Sequence, residues 1–114
     1  MKNLSFFFAA CGLALLTNAT PAQAQYQPTP PPVYTGCAPS ASSCWADTGY
    51  GRGCAFGRDN STAACEAEGQ RANQYADYYR SQPFSQDNNN LILYWDYYAD
   101  GIYTGHYDGG CNCN

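Results

Sequence analysis

Small and apolar residues recur at helical spacing over residues 61–81, which indicates an amphipathic helix. Its least polar face carries Cys65, Gly69, Ala72, Ala76 and Tyr79. An Asn-Ser-Thr run at residues 60–62 offers N-cap side chains, and Pro83 follows the last turn as a stop signal. Because this face consists mostly of small side chains, we expect another element to approach the helix closely.

Residues 91–107 are compatible with two structures. Leu91, Tyr94, Trp95 and Tyr98 are spaced i, i+3, i+4 and i+7, as on one face of a helix. Against a helix, Tyr, Trp and Ile favour strands, and Asp100-Gly101 between two aromatic runs is a strong hairpin signal. We therefore predict a β-hairpin that turns at Asp100-Gly101.

The predicted hairpin has two aromatic faces. One of them can cover the helix, and the other has no obvious cover in so small a chain. That second face would carry Tyr94, Asp96, Tyr98, Tyr103 and Tyr107. These five residues form the predicted binding or assembly surface.

Residues 37–58 carry three cysteines among Ser, Gly and Pro, and we predict that they form loops and short extended pieces. The run Gly49-Tyr50-Gly51-Arg52-Gly53 is predicted not to hold a helix, since each glycine disfavours one by about 1 kcal/mol. It also lacks the spacing of a phosphate-binding glycine loop. The predicted fold class is thus a small disulfide-rich α+β domain. One helix packs on a C-terminal β-hairpin, and the N-terminal region is irregular and stapled by cysteines.

The first residues predict export. Residues 1–24 combine Lys2, an apolar run over 4–16 and an Ala-Gln-Ala cleavage motif, as in a signal peptide. Lipidation at Cys11 is the alternative. Residues 25–36 contain four prolines and predict an extended leader, serving as a spacer or as a docking arm. Residues 37–114 form the predicted folded domain.

The cysteine count supports the same location. Of seven cysteines, loss of Cys11 with the signal peptide leaves six, an even number. In a short exported chain an even count predicts a disulfide framework. Its members would be Cys37, Cys44, Cys54, Cys65, Cys111 and Cys113. We expect one of the last two to bond Cys65, and a secreted, cell-surface or periplasmic protein.

Charge and composition narrow the possible partners. After residue 24 there are four Arg and nine acidic residues, a net charge of 4 − 9 = −5, which argues against binding nucleic acid. Leu, Ile, Val and Phe number only seven there, whereas all eleven tyrosines are retained. The aliphatic core is therefore thin, and disulfides or assembly must supply stability.

No motif in the sequence indicates a particular reaction or metal site. His106 is the only histidine, no Gly-x-Ser-x-Gly motif is present, and no cysteine pair has zinc-ribbon spacing. A two-carboxylate glycosidase using Asp96, Asp100 or Asp108 is the remaining catalytic alternative, and Cys111, Cys113 and His106 are the remaining metal alternative. We predict that the protein is not an enzyme and that it binds neither a metal nor a cofactor.

Two non-enzymatic functions are consistent with these features. The first is a structural or adhesive module that self-assembles, or attaches to a matrix or glycan surface, through the Tyr-rich β surface. The second is a small secreted binding module, such as an inhibitor, an effector or a glycan binder, since Tyr, Ser, Gly and Asn make adaptable recognition surfaces. We predict the first, with the second as alternative.

Overall fold

The structure, a computed structural model, describes residues 29–109. They form three helices: α1 (Ser42–Asp59), α2 (Thr62–Arg80) and α3 (Gln86–Tyr103), the last continuing into a π-helical turn at Thr104–Asp108. α3 packs extensively against both other helices, whereas α1 and α2 hardly contact each other. The fold is therefore a three-helix bundle with α3 in the middle. Within residues 29–109 no helix is long and apolar enough to cross a membrane.

The predicted α+β fold is wrong, because residues 29–109 contain no strand and the β-hairpin is absent. The helical spacing of residues 91–98 prevails over strand propensity. One face of α3 buries Tyr94, Trp95, Tyr98 and Ile102. Strand propensity mainly reflects how well a side chain fits a half-buried pleated surface, so a fully buried helical face overrides it. Asp100 and Gly101 lie inside the helix rather than in a turn.

The glycine-rich stretch also differs from its prediction, because it forms α1. Gly49, Gly53 and Gly57 recur every four residues and lie on the face of α1 that meets α3. A Cβ atom on these three would lie 2.2, 2.0 and 2.1 Å from the carbonyl oxygens of Tyr94, Tyr98 and Ile102, respectively. No side chain fits at such distances, so the two backbones are in direct contact.

The contact is reciprocal. A Cβ on Gly101 would lie 2.3 Å from the carbonyl oxygen of Tyr50, and one on Gly105 would lie 2.2 Å from that of Cys54. Small residues at helix interfaces let backbones approach until Cα–H groups face carbonyl oxygens. We call these five glycines, Gly49, Gly53, Gly57, Gly101 and Gly105, the glycine interface.

The predicted helix over residues 61–81 is confirmed as α2. The Ser61 hydroxyl caps its N-terminus by accepting a hydrogen bond from the Ala64 amide at 3.2 Å. Its buried residues Cys65, Ala72 and Ala76 join the aromatic residues of α3 in one core cluster. The expectation that another element approaches this small-residue face is therefore also confirmed, the element being α3.

Aromatic rings fill the space that a thin aliphatic core leaves. Trp95 makes edge-to-face contacts with Tyr75, Tyr94 and Tyr98, at centroid separations of 4.8, 4.9 and 5.4 Å. Such pairs stabilise a core by about 0.5–1.5 kcal/mol beyond their buried area. The tyrosine-rich composition therefore serves the interior as well as the surface.

The segment before α1, from residue 29 onward, lies against the bundle. Arg52 donates a hydrogen bond to the Tyr34 carbonyl at 2.9 Å, and the fully buried Asn90 donates one to the Pro39 carbonyl at 2.8 Å. A disulfide joins Cys37 to Cys44. This segment, which includes the end of the predicted leader, is thus fastened to the helices at several points. The predicted signal peptide, Cys111 and Cys113 lie outside the described residues.

We predict that Gly53→Ala lowers the free energy of unfolding by about 2–3 kcal/mol, since overpacking forces the backbones of α1 and α3 apart. The loss should appear although alanine is the better helix former. Urea unfolding followed by circular dichroism measures it.

Gly51→Ala is the matched control, because a Cβ at Gly51 meets nothing within 4 Å. It should leave stability unchanged or raise it by up to about 1 kcal/mol. Equal effects of the two substitutions would contradict the glycine interface.

Replacing both Cys37 and Cys44 by Ser should lower the free energy of unfolding by about 2–3 kcal/mol, the chain-entropy contribution expected for a short loop. The two cysteines are 7 residues apart, and their bridge ties the segment before α1 to the start of that helix. Urea unfolding of the oxidised protein tests this. Unchanged stability in the double variant would show that the bridge does not stabilise the domain.

Candidate functional site

A groove runs between the N-terminal half of α2 and the C-terminal end of α3, with a volume of about 540 Å³. This volume is within the usual range for small-molecule sites, about 300–1,000 Å³. Its floor is apolar and includes Cys65, Ala99 and Ile102. Gly69 also lines it, and a Cβ there would meet nothing within 4 Å, so the groove reaches the backbone of α2.

Two tyrosine rings form one side of the groove. Tyr103 is 65% exposed and Tyr107 is 55% exposed, so both rings are accessible from the groove. Their ring centroids are 4.8 Å apart and the rings are tilted by 45°. The pair therefore presents two rings at an angle rather than a flat platform.

The opposite side of the groove is polar. Glu66, Gln70 and Asn73 of α2 line it at positions i, i+4 and i+7, so they form a single stripe along the helix. Exposed rings thus face one carboxylate and two amides across an apolar floor.

His106 lines the groove but is held by two hydrogen bonds. Its Nδ1 lies 3.1 Å from the Gly57 carbonyl oxygen, and its Nε2 lies 2.8 Å from the Thr62 hydroxyl. A carbonyl oxygen only accepts, so Nδ1 carries a proton, and the Thr62 hydroxyl can donate to Nε2. The imidazole therefore connects the end of α1, the start of α2 and the π-helical turn.

The five residues of the predicted surface do not share one face. Tyr94 and Tyr98 are buried in the core, whereas Tyr103 and Tyr107 are exposed at the groove. Asp96 lies elsewhere on α3, in an ion pair with Arg80 that also raises the pKa of that guanidinium. Of the five, only the two C-terminal tyrosines come together at an exposed surface.

Tyr98 ends in a charged network between α2 and α3. Its hydroxyl donates a hydrogen bond of 2.9 Å to Glu68, which is also ion-paired with Arg71. Burial, followed by the hydrogen bond to the Glu68 carboxylate, raises the pKa of Tyr98 well above its usual range. Both causes favour the neutral phenol, which is the form that donates this hydrogen bond to Glu68.

The predicted disulfide framework is present in part. Cys37 is bonded to Cys44, and Cys54 is also disulfide-bonded. Cys65, which we predicted to be bonded, has a free thiol, and burial raises its pKa. A thiol with a raised pKa is a poor nucleophile at neutral pH. No cluster of three or more metal-ligating side chains occurs within residues 29–109.

The groove itself was missing from the sequence predictions. In the sequence, Gln70 and Asn73 are ordinary polar positions of an amphipathic helix, of the kind that solvent usually covers. Their proximity to Tyr103 and Tyr107 depends on α3 being a helix that continues through residue 103. The signal that could have revealed it is the i, i+4 spacing of the two tyrosines, which puts both rings on one side of a helix.

Comparison with known proteins adds no relative: no protein family, curated protein or solved structure matches this chain. The groove must therefore be interpreted from its own residues.

Tyr98→Phe should make stability less sensitive to alkaline pH. The folded-state pKa of Tyr98 is raised above the unfolded value of about 10, so its contribution is complete below that pH. As the pH rises further, the unfolded chain releases a proton that the folded chain retains, and stability falls.

Urea unfolding measured from neutral pH to about one unit above the free tyrosine pKa of about 10 tests this prediction. The wild-type protein should lose stability more steeply than Tyr98→Phe over the alkaline part. Tyr34→Phe is the control, since Tyr34 is 80% exposed. Parallel curves for the wild type and Tyr98→Phe would contradict the assignment.

Proposed function

We propose that this chain is an exported, non-enzymatic binding module and that the groove between α2 and α3 is its ligand site. The observation that carries the proposal is the exposed pair Tyr103 and Tyr107 beside the polar stripe of Glu66, Gln70 and Asn73. Pockets with an apolar floor and a few convergent polar groups are the usual form of ligand sites.

Two groove residues of types that often act in catalysis, His106 and Cys65, are not available as a base or a nucleophile, and this supports binding over catalysis. Both ring nitrogens of His106 are within hydrogen-bonding distance of protein atoms, and neither is directed at the groove as a free base. The Cys65 thiol has a raised pKa, which disfavours the nucleophilic thiolate. These features argue for a rigid groove wall.

Export is supported by the cysteine chemistry. The Cys37–Cys44 disulfide is of the kind that forms and persists in oxidising compartments. With the signal-peptide pattern of residues 1–24, it favours a secreted, cell-surface or periplasmic location.

Self-assembly or adhesion stays a prediction, but it needs a different surface. The predicted Tyr-rich β surface cannot mediate it, because residues 29–109 contain no strand. The observation in its favour is Phe84, 88% exposed between α2 and α3 beside a small depression of about 170 Å³. Light scattering of the oxidised protein before and after Phe84→Ser would test it, and a monomer at all concentrations would contradict it.

Titration of the ¹⁵N-labelled mature protein tests the proposed site directly. The probes are neutral oligosaccharides, anionic oligosaccharides and an oligo-arginine peptide. We expect at least one class to shift the amide resonances of Gly69, Gln70 and Tyr103 in a saturable manner. Shifts confined to other surfaces, or no shifts with any class, would contradict the groove as a ligand site.

Gly69→Gln fills the groove and Gly51→Gln is its matched control. Both positions are helical and open around Cβ, and both substitutions should favour the helix by up to about 1 kcal/mol. Only Gly69 lines the groove. Loss of binding in Gly69→Gln but not in Gly51→Gln is the expected result, and equal behaviour would place the site elsewhere.

A further inference from the structure

We infer that the groove takes a neutral carbohydrate. The inference rests on the proposed function and assigns the ligand class to the same site. It follows from the charge of the lining residues, from the angle between the two rings and from the polar stripe of α2.

The charge of the groove excludes anionic ligands. Glu66 is the only carboxylate among the lining residues, and no Lys or Arg lines the groove. His106 has its two nitrogens occupied by Gly57 and Thr62, so it offers no free donor to an anion. Phosphate, sulfate and carboxylate groups are normally held by charge-assisted hydrogen bonds from cations, which are missing here. The negative net charge of the mature chain acts in the same direction.

The tilt between the rings favours a ligand that is not flat. A planar molecule can lie face to face on only one of the two rings, because Tyr103 and Tyr107 are tilted by 45° at a centroid separation of 4.8 Å. A pyranose chair is not flat: its C–H groups can lie on one ring while its edge meets the second. The two tilted rings therefore suit that shape.

The polar stripe matches hydroxyl groups. The side-chain amides of Gln70 and Asn73 make no hydrogen bond to another side chain or to the backbone within residues 29–109, and both residues are exposed, so these amides are available. Each amide offers donors and an acceptor, and the Glu66 carboxylate offers acceptors. Sugar hydroxyls both donate and accept, so this set satisfies them without a net charge on the ligand.

A cationic ligand is the competing class, since Glu66 and two tyrosine faces could hold one. A neutral sugar engages more of the site than a cation does, because a cation can use the amide oxygens of Gln70 and Asn73 but not their N–H donors. The test therefore compares neutral and charged probes on the same protein.

Isothermal titration of the oxidised mature protein compares three groups of probes. These are neutral cello-, manno- and N-acetylated chito-oligosaccharides, then oligogalacturonate and heparin fragments, then oligo-arginine. We expect saturable binding of at least one neutral oligosaccharide and none of the anionic ones. Tyr103→Ala and Asn73→Ala should each weaken that binding about tenfold, the effect of losing one stacking or hydrogen-bonding contact.

Tyr34→Ala is the control, because Tyr34 is an exposed ring that does not line the groove. It should leave the dissociation constant unchanged, and cooperative melting curves should show that all variants are folded. Neutral-sugar binding that Gly69→Gln, Tyr103→Ala and Asn73→Ala all leave intact would overturn the inference.

The remaining outcomes separate the two levels of the proposal. Binding of only the anionic probes or only oligo-arginine, lost in Gly69→Gln, would overturn the carbohydrate inference and leave the groove as a ligand site. Absence of binding by every probe would overturn the inference and the proposed function together.

Discussion

Direct backbone contact between α1 and α3 is the constraint on which the rest of this structure depends. Glycines from both helices place Cα–H groups against carbonyl oxygens of the partner, at distances where no side chain fits. Each glycine disfavours an isolated helix by about 1 kcal/mol, so the helices are held by their packing rather than by propensity. This arrangement also explains how a chain with so few aliphatic residues forms a domain. Close backbones leave little volume to fill, and tyrosine and tryptophan rings fill the remainder.

The same contact positions the groove. Gly57 and Gly105 continue the interface to the end of α3, where His106 is hydrogen-bonded to the Gly57 carbonyl. The π-helical turn that follows α3 therefore has a fixed orientation, and it carries Tyr107 beside Tyr103. On the other side, the Tyr98–Glu68 hydrogen bond fixes α2 against α3. The candidate site is thus built on packed helices, which fix the backbone positions from which the rings and the amides project.

Local signals in the sequence predicted α2 correctly but gave wrong predictions for α1 and α3. The α2 helix could be predicted because caps, alanines and spacing all agree over residues 61–81. The α3 helix could not be predicted, because two signals in the same residues disagree. Asp100-Gly101 and the strand propensity of tyrosine favour a hairpin, whereas the spacing of the apolar residues favours a helix. Packing against the partner helix determines which of the two structures forms. The glycines of α1 favour loops when taken alone. Their spacing of four residues becomes meaningful only opposite the backbone of α3, which is information about tertiary contact. The groove depends on both of these elements, so the sequence predicted its tyrosines but not their neighbours.

The most direct measurement of the central claim is a nuclear Overhauser experiment on the native protein. At each glycine an Hα points in the direction that a Cβ would take. A Cβ built in that direction lies 3.0 Å from the Ile102 nitrogen for Gly53, 2.8 Å from the His106 nitrogen for Gly57 and 2.8 Å from the Cys54 nitrogen for Gly101. The structure therefore predicts strong cross-peaks from these three glycine Hα protons to the amide protons of Ile102, His106 and Cys54. Absence of the three cross-peaks, with α1 and α3 still helical by their chemical shifts, would contradict the glycine interface.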